Sequence, residues 1–246
     1  MILANLRQRL TPDDHRLVLA LLSAGGAGRR ARLDTQLAEA GPDGLLDDPD
    51  LPGLLRDAPG YATPSAPLFI YVIVRQALRR AGVHDARLAD YVGALVLEFG
   101  LRDRAWRASR HDDDEFRYLT DIVAAAERTD GRRAFLLLAH LGNFSLWLAG
   151  LFPDWIAERR QRRGGPDFAY YESLGARGFR LASDDDLASR LELSEVYSHA
   201  AARFGAIRVA LNRLSDEAFF RGCSTERMLR QAADGLALPE ADGPLF

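Results

Sequence analysis

The chain has 246 residues, 48% of them hydrophobic and 27% charged, with a formal charge of −3; this leaves room for a sizeable core in one large domain and excludes a disordered or membrane make-up. All 32 cationic side chains are arginine, and without lysine the Schiff-base and pyridoxal-phosphate enzymes, P-loop NTPases, usual protein kinases and serine β-lactamases are excluded. Cys223 is the single cysteine, which excludes an intrachain disulfide, a zinc ribbon and a protein-ligated iron–sulfur cluster, and fits a reducing cytoplasm.

The opening MILANL meets charge quickly and lacks the apolar core of a signal peptide. Thr11-Pro12-Asp13-Asp14 then reads as an N-cap, a proline at the first helical position and an acid at the third, ahead of an apolar run that Gly25-Gly26 stops. A second helix is predicted over 29–40, ending at Gly41-Pro42. Residues 42–64 are rich in proline and glycine and read as short helical turns and loop, an irregular connection or lid.

Ser65 caps a predicted helix over 67–81. Its segment LFIYVIV is ambiguous with a buried strand, and the continuation RQALRRAG favours helix. Asp85 caps the next helix, over 86–99, closed by Gly100. Further helices are predicted over 114–128, 132–152, 154–163, 168–182, 186–203, 205–219 and 225–233, with a frayed tail over 235–246. Hardly any segment alternates apolar and polar residues. The expected class is all-α: a compact bundle of about eight to ten helices in a single domain over 1–246.

The stretch LLLAHLGNFSLWLAGLF approaches the length of a membrane span. His140, Asn143 and Ser145 interrupt it, and arginines at both ends give no orientation bias. It is therefore expected to be the buried central helix of a soluble bundle. At 100° per residue Arg133, Leu136, His140, Asn143 and Trp147 share one face. The polar members need hydrogen-bond partners, as a satisfied structural pair or as a small ligand pocket under Trp147. The partner segment is expected to be FAYYESLGARGFRLA, where Tyr171, Gly175, Gly178 and Ala182 fall on one face and small residues allow close approach. Glu172 beside that face is expected to accept a hydrogen bond from His140, and Tyr170 to add to an aromatic wall. The ligand-pocket candidates are His140, Asn143, Trp147, Tyr171 and Glu172.

HDDDEF at 111–116 reads as acidic residues complementing a positive helix start, and Ser183 to Asp186 likewise. Glu195 and His199, four apart, can face one another, but no E-x-x-H or H-E-x-x-H is present. No G-x-S-x-G appears. No metal, cofactor or catalytic residue is expected. RAFLLLAH resembles, in its arginine-to-histidine spacing, the catalytic pair of helical HEPN-fold ribonucleases, but it lacks the polar residue after the arginine; no family assignment rests on eight residues. ERRQRRGG places Arg159, Arg160, Arg162 and Arg163 in a basic patch at a helix end, suited first to the negative helix terminus and otherwise to phosphate or nucleic acid or to an acidic protein. The reading reached is a non-enzymatic, cytoplasmic interaction or regulatory protein, self-associating or with a protein partner and not at a membrane. The alternatives are a small-ligand-binding or enzymatic bundle around His140 and Asn143, and a nucleic-acid-binding module.

Overall fold

A computed structural model describes residues 1–24, 43–59, 63–101, 104–109 and 114–219, with isolated positions between 25 and 42. Eleven α-helices are defined among these residues: α1 (Pro12–Ser23), α2 (Leu51–Arg56), α3 (Ala66–Arg80), α4 (Ala86–Phe99), α5 (Leu119–Glu127), α6 (Gly131–Leu151), α7 (Pro153–Arg163), α8 (Phe168–Ser183), α9 (Asp186–Arg190), α10 (Ser194–Ala202) and α11 (Phe204–Leu214). Short 3₁₀ turns cover Arg7–Arg9 and Arg104–Trp106, and a π-helical turn covers Ser215–Phe219. The described residues contain no strand, so the protein is an all-α bundle. The helices expected over 29–40 and 225–233, and the tail, lie outside the described residues or almost wholly so.

Local chemistry starts several helices where the sequence places them. Thr11 and Asp14 form a reciprocal capping box, with Asp14 N donating to Thr11 Oγ1 at 3.2 Å and Thr11 N to Asp14 Oδ2 at 2.8 Å. Asp14 also accepts from Ser65 N and Ser65 Oγ, so one buried carboxylate ties the starts of α1 and α3 together. Burial alone would raise its pKa; the hydrogen bonds from Thr11 and Ser65 outweigh that and hold it below the usual carboxylate value. Ser65 caps α3 and Asp85 caps α4. LFIYVIV is helix, its inner residues buried.

Three predicted boundaries are corrected. The segment after Asp114 is not helical until Leu119, because Phe116 N bonds Trp106 O at 2.7 Å and Phe116 is buried. Asp114 and Glu115 therefore do not line a helix start. They pair with Arg133 and Arg107, while His111, Asp112 and Asp113 lie outside the described residues. The helix expected over 186–203 is two helices, broken where Glu192 adopts φ +55°. There Leu193 N bonds Ala188 O and Glu192 N bonds Ser189 O, a Schellman ending with glutamate in the position glycine usually holds. Further on, the helix from Phe204 stops at Leu214, and the π-helical turn follows.

Helix α6 is central: α8, α5, α11, α7 and α4 all pack on it. Among the described residues it alone is long and apolar enough to cross a membrane, and 72% of its apolar window is buried inside the bundle. The Tyr171/Gly175/Gly178/Ala182 stripe of α8 is buried, with glycine backbone against glycine backbone where Gly178 meets Gly142 and Leu138. Helices α3 and α4 pair with each other and reach the rest through α11 and α10, and one hydrophobic cluster runs from Ile2 to Leu214.

Candidate functional site

Helix α6 carries His140, Asn143 and Trp147 into different surroundings. His140 is 2% exposed and stands among the rings of Phe99, Phe116 and Phe144, stacked on Phe144 at 5.7 Å. Its Nε2 has no hydrogen-bond partner. Burial first, then the nearby positive charge of Arg104, push its pKa down to about 3, so the ring is neutral. Trp147 extends the same aromatic box, meeting Phe99, Trp106, Phe144 and Phe152.

Asn143 is satisfied elsewhere. Its Oδ1 accepts from Tyr91 OH at 2.6 Å inside the core. Burial, with Tyr197 beside it, raises the Tyr91 pKa well above its usual value, so the hydroxyl remains a donor. His140 and Asn143 are thus not bonded as a pair, and each belongs to its own cluster.

Tyr171 is buried on α8 with its ring edge-to-face on Tyr170. Glu172, expected to serve His140, instead accepts from Arg208 Nε at 2.7 Å. Arg208 lies over the Phe168 ring at 4.8 Å and donates to Asn212 Oδ1 at 3.0 Å. Asn212 Nδ2 in turn bonds the carbonyls of Ala149 and Gly150, and Ser215 Oγ bonds that of Leu151. A helix leaves its last four carbonyls without intrahelical partners; here α11 and the π-turn satisfy three at the end of α6. Four of the five pocket candidates are therefore divided among an aromatic box, a tyrosine–asparagine pair and a helix-end network, while Tyr171 packs on Tyr170. His140 has no carboxylate bonded to it, so the general acid–base geometry of a histidine oriented by an acid is not formed there.

The one histidine–carboxylate pair recorded among the described residues is His199 Nδ1 with Asp85 Oδ2, at 2.6 Å. It places His199 against the N-cap of α4 rather than against Glu195. No group of three or more His, Cys, Asp or Glu residues among those described is arranged to hold a metal. Arg133, at the exposed start of α6, pairs with Asp114, whereas His140 is enclosed in the core; the two do not share a site within the chain.

The basic patch lies on the last turns of α7, closed by Gly164 in the left-handed region. Arg160 pairs with Asp167 at 3.1 Å and Arg162 with Glu158 at 3.0 Å. Arg163 is exposed. Arg159 does something the charge run does not announce: its guanidinium lies over Trp155 at 5.1 Å and over Tyr118 at 5.9 Å. Trp155 is 43% exposed and Tyr118 56%. Trp155 and Arg159 are four apart on one helix, so their contact was readable as an i,i+4 pair; Tyr118 arrives from the residue before α5 and was not. Set against protein-family models, curated proteins and solved structures, the chain has no significant match to any of them.

Proposed function

We propose that this chain is a soluble, cytoplasmic, non-enzymatic interaction protein that docks an acidic protein partner on the outer surface of α7. The observation that carries the reading is the arginine whose guanidinium lies over two exposed aromatic rings, Trp155 and Tyr118. Tryptophan, tyrosine and arginine dominate the binding energy of protein interfaces. A guanidinium already ordered by two rings loses less freedom on binding than a free one. Arg159 and Arg163 offer forks to a partner's carboxylates, and the rings offer apolar surface. Pairing of Arg160 and Arg162 with acids of the same chain leaves few phosphate contacts, which favours protein over nucleic acid.

Calorimetric titration with a peptide alternating glutamate and leucine tests this. Saturable binding that weakens with salt and is lost in Trp155→Ala and Arg159→Ala is expected. Tighter binding of a single-stranded oligonucleotide, or no peptide binding at all, rejects the reading.

A further inference from the structure

We propose that the cleft between α1 and the turn at 43–46 binds a small lipophilic alcohol. Its volume is about 500 Å³, in the range of small-molecule sites. Val18, Leu45 and Leu46 are the buried part of its lining, and Leu19, at 39% exposure, stands open to solvent. No arginine, aspartate or glutamate lines it. Asp13 and Arg16, the charged neighbours on α1, pair with each other outside the lining. A charged ligand would therefore leave water without gaining a counter-charge, whereas a hydrocarbon body is favoured by the area it buries.

His15 is the single polar side chain among the leucine, valine and proline of this lining. Its Nδ1 lies 2.9 Å from the carbonyl oxygen of Thr11. A carbonyl can only accept, so Nδ1 carries the proton and donates. In the neutral ring that leaves Nε2 as an acceptor, and no described residue bonds it. The complementary group on a ligand is a hydrogen-bond donor. An apolar body with one hydroxyl satisfies both the lining and the imidazole, and an apolar carboxylate satisfies only the lining.

Ligand sites are largely pre-formed, and both walls are fixed from outside the cleft. The start of α1 is held by the capping box of Thr11 and by the bonds from Ser65 to Asp14. The opposite wall, Leu45-Leu46, is pinned on both sides. Before it, Arg7 pairs with Asp43 at 2.8 Å. After it, Arg75 grips the Asp47 carboxylate through bonds of 2.7 and 2.9 Å. These ion pairs hold two leucines beside α1 without placing a charge in the lining.

Calorimetric titration of the full chain with 1-octanol, 1-butanol and octanoate decides the matter. Saturable binding of 1-octanol is expected, at least about tenfold tighter than 1-butanol because four more methylenes are buried, and tighter than octanoate. Leu19→Arg puts a charge at the exposed edge of the cleft and is expected to weaken 1-octanol at least about tenfold. His15→Leu keeps apolar bulk, removes the acceptor and is expected to weaken it by up to about tenfold. Both positions are exposed on α1, and circular dichroism of each variant checks that its helix content is kept. Trp155→Ala on α7 is expected to leave 1-octanol binding unchanged, so this site and the α7 surface fail separately. No saturable binding of 1-octanol overturns the proposal, as does equal or tighter binding of 1-butanol or octanoate. Insensitivity to Leu19→Arg or to His15→Leu, or loss of binding in Trp155→Ala, overturns it as well.

Discussion

At His140 an imidazole is enclosed by aromatic rings with its Nε2 unpaired. Phenylalanine keeps a flat ring, somewhat larger than imidazole, with no polar atom to desolvate. His140→Phe is therefore expected to leave stability unchanged or raise it. His140→Ala removes the ring instead and is expected to cost about 2–4 kcal/mol through the cavity it leaves. Urea unfolding of both variants beside the parent protein checks the contrast, and a large loss in His140→Phe would show that the imidazole makes a bond the geometry does not contain. Tyr91 presents the opposite case, because its hydroxyl is the recorded partner of the buried Asn143 Oδ1. Tyr91→Phe keeps the ring and strands that oxygen, at an expected cost of about 1–3 kcal/mol.

Helix α8 can approach α6 only because of its glycines. A methyl group on Gly178 would stand 2.8 Å from Leu138 O and 2.9 Å from Gly142 N, backbone atoms that cannot rotate away. Gly178→Ala is expected to destabilise by about 1–3 kcal/mol by forcing the helices apart. Gly53, inside α2 with nothing within 4 Å of the added carbon, should respond the other way: Gly53→Ala is expected to stabilise by up to about 1 kcal/mol, since alanine is the better helix former. Thermal melts of the two variants test the difference in sign. The α8 stripe was legible because spacing and residue size are local properties of sequence. So were the caps at Thr11, Ser65 and Asp85, whose hydrogen bonds reach only two or three residues ahead. The ends of α3 and α9 show where legibility stops. Both close in a Schellman motif, but Gly82 advertises the left-handed residue at the first and Glu192 conceals it at the second. Glu192 is held in place by Arg87, which donates to its carbonyl and carboxylate from 105 positions away in sequence. The partners of Asn143, Glu172 and His199 were hidden for the same reason: each is chosen by how the helices pack, and no spacing within a helix encodes it.

For the molecule as a whole, acid is expected to destabilise in two overlapping stages. His140 is neutral in the fold down to about pH 3 and titrates near 6.5 when unfolded. Between those values the unfolded chain binds the extra proton, so this contribution is complete above 6.5 and lost as pH falls through the window. Asp14, Asp47 and Asp85 are held below the ordinary aspartate range. In each, burial works against the shift and hydrogen bonding or neighbouring charge prevails. Their contribution is present above that range and is lost as pH drops beneath it. Buried Asp90, pushed up by burial, opposes them. Urea midpoints measured from pH 7 to pH 3 should fall throughout, and His140→Phe should flatten the upper part of the curve; an unchanged slope there would refute the assignment of that part to His140. The closing of α6 by Asn212 and Ser215 bears, finally, on the order of events during synthesis. The central helix is complete in sequence at Leu151, yet the groups that bond its last carbonyls are encoded some sixty residues later. A chain leaving the ribosome N-terminus first must therefore hold its longest helix with an open end until α11 has emerged and docked.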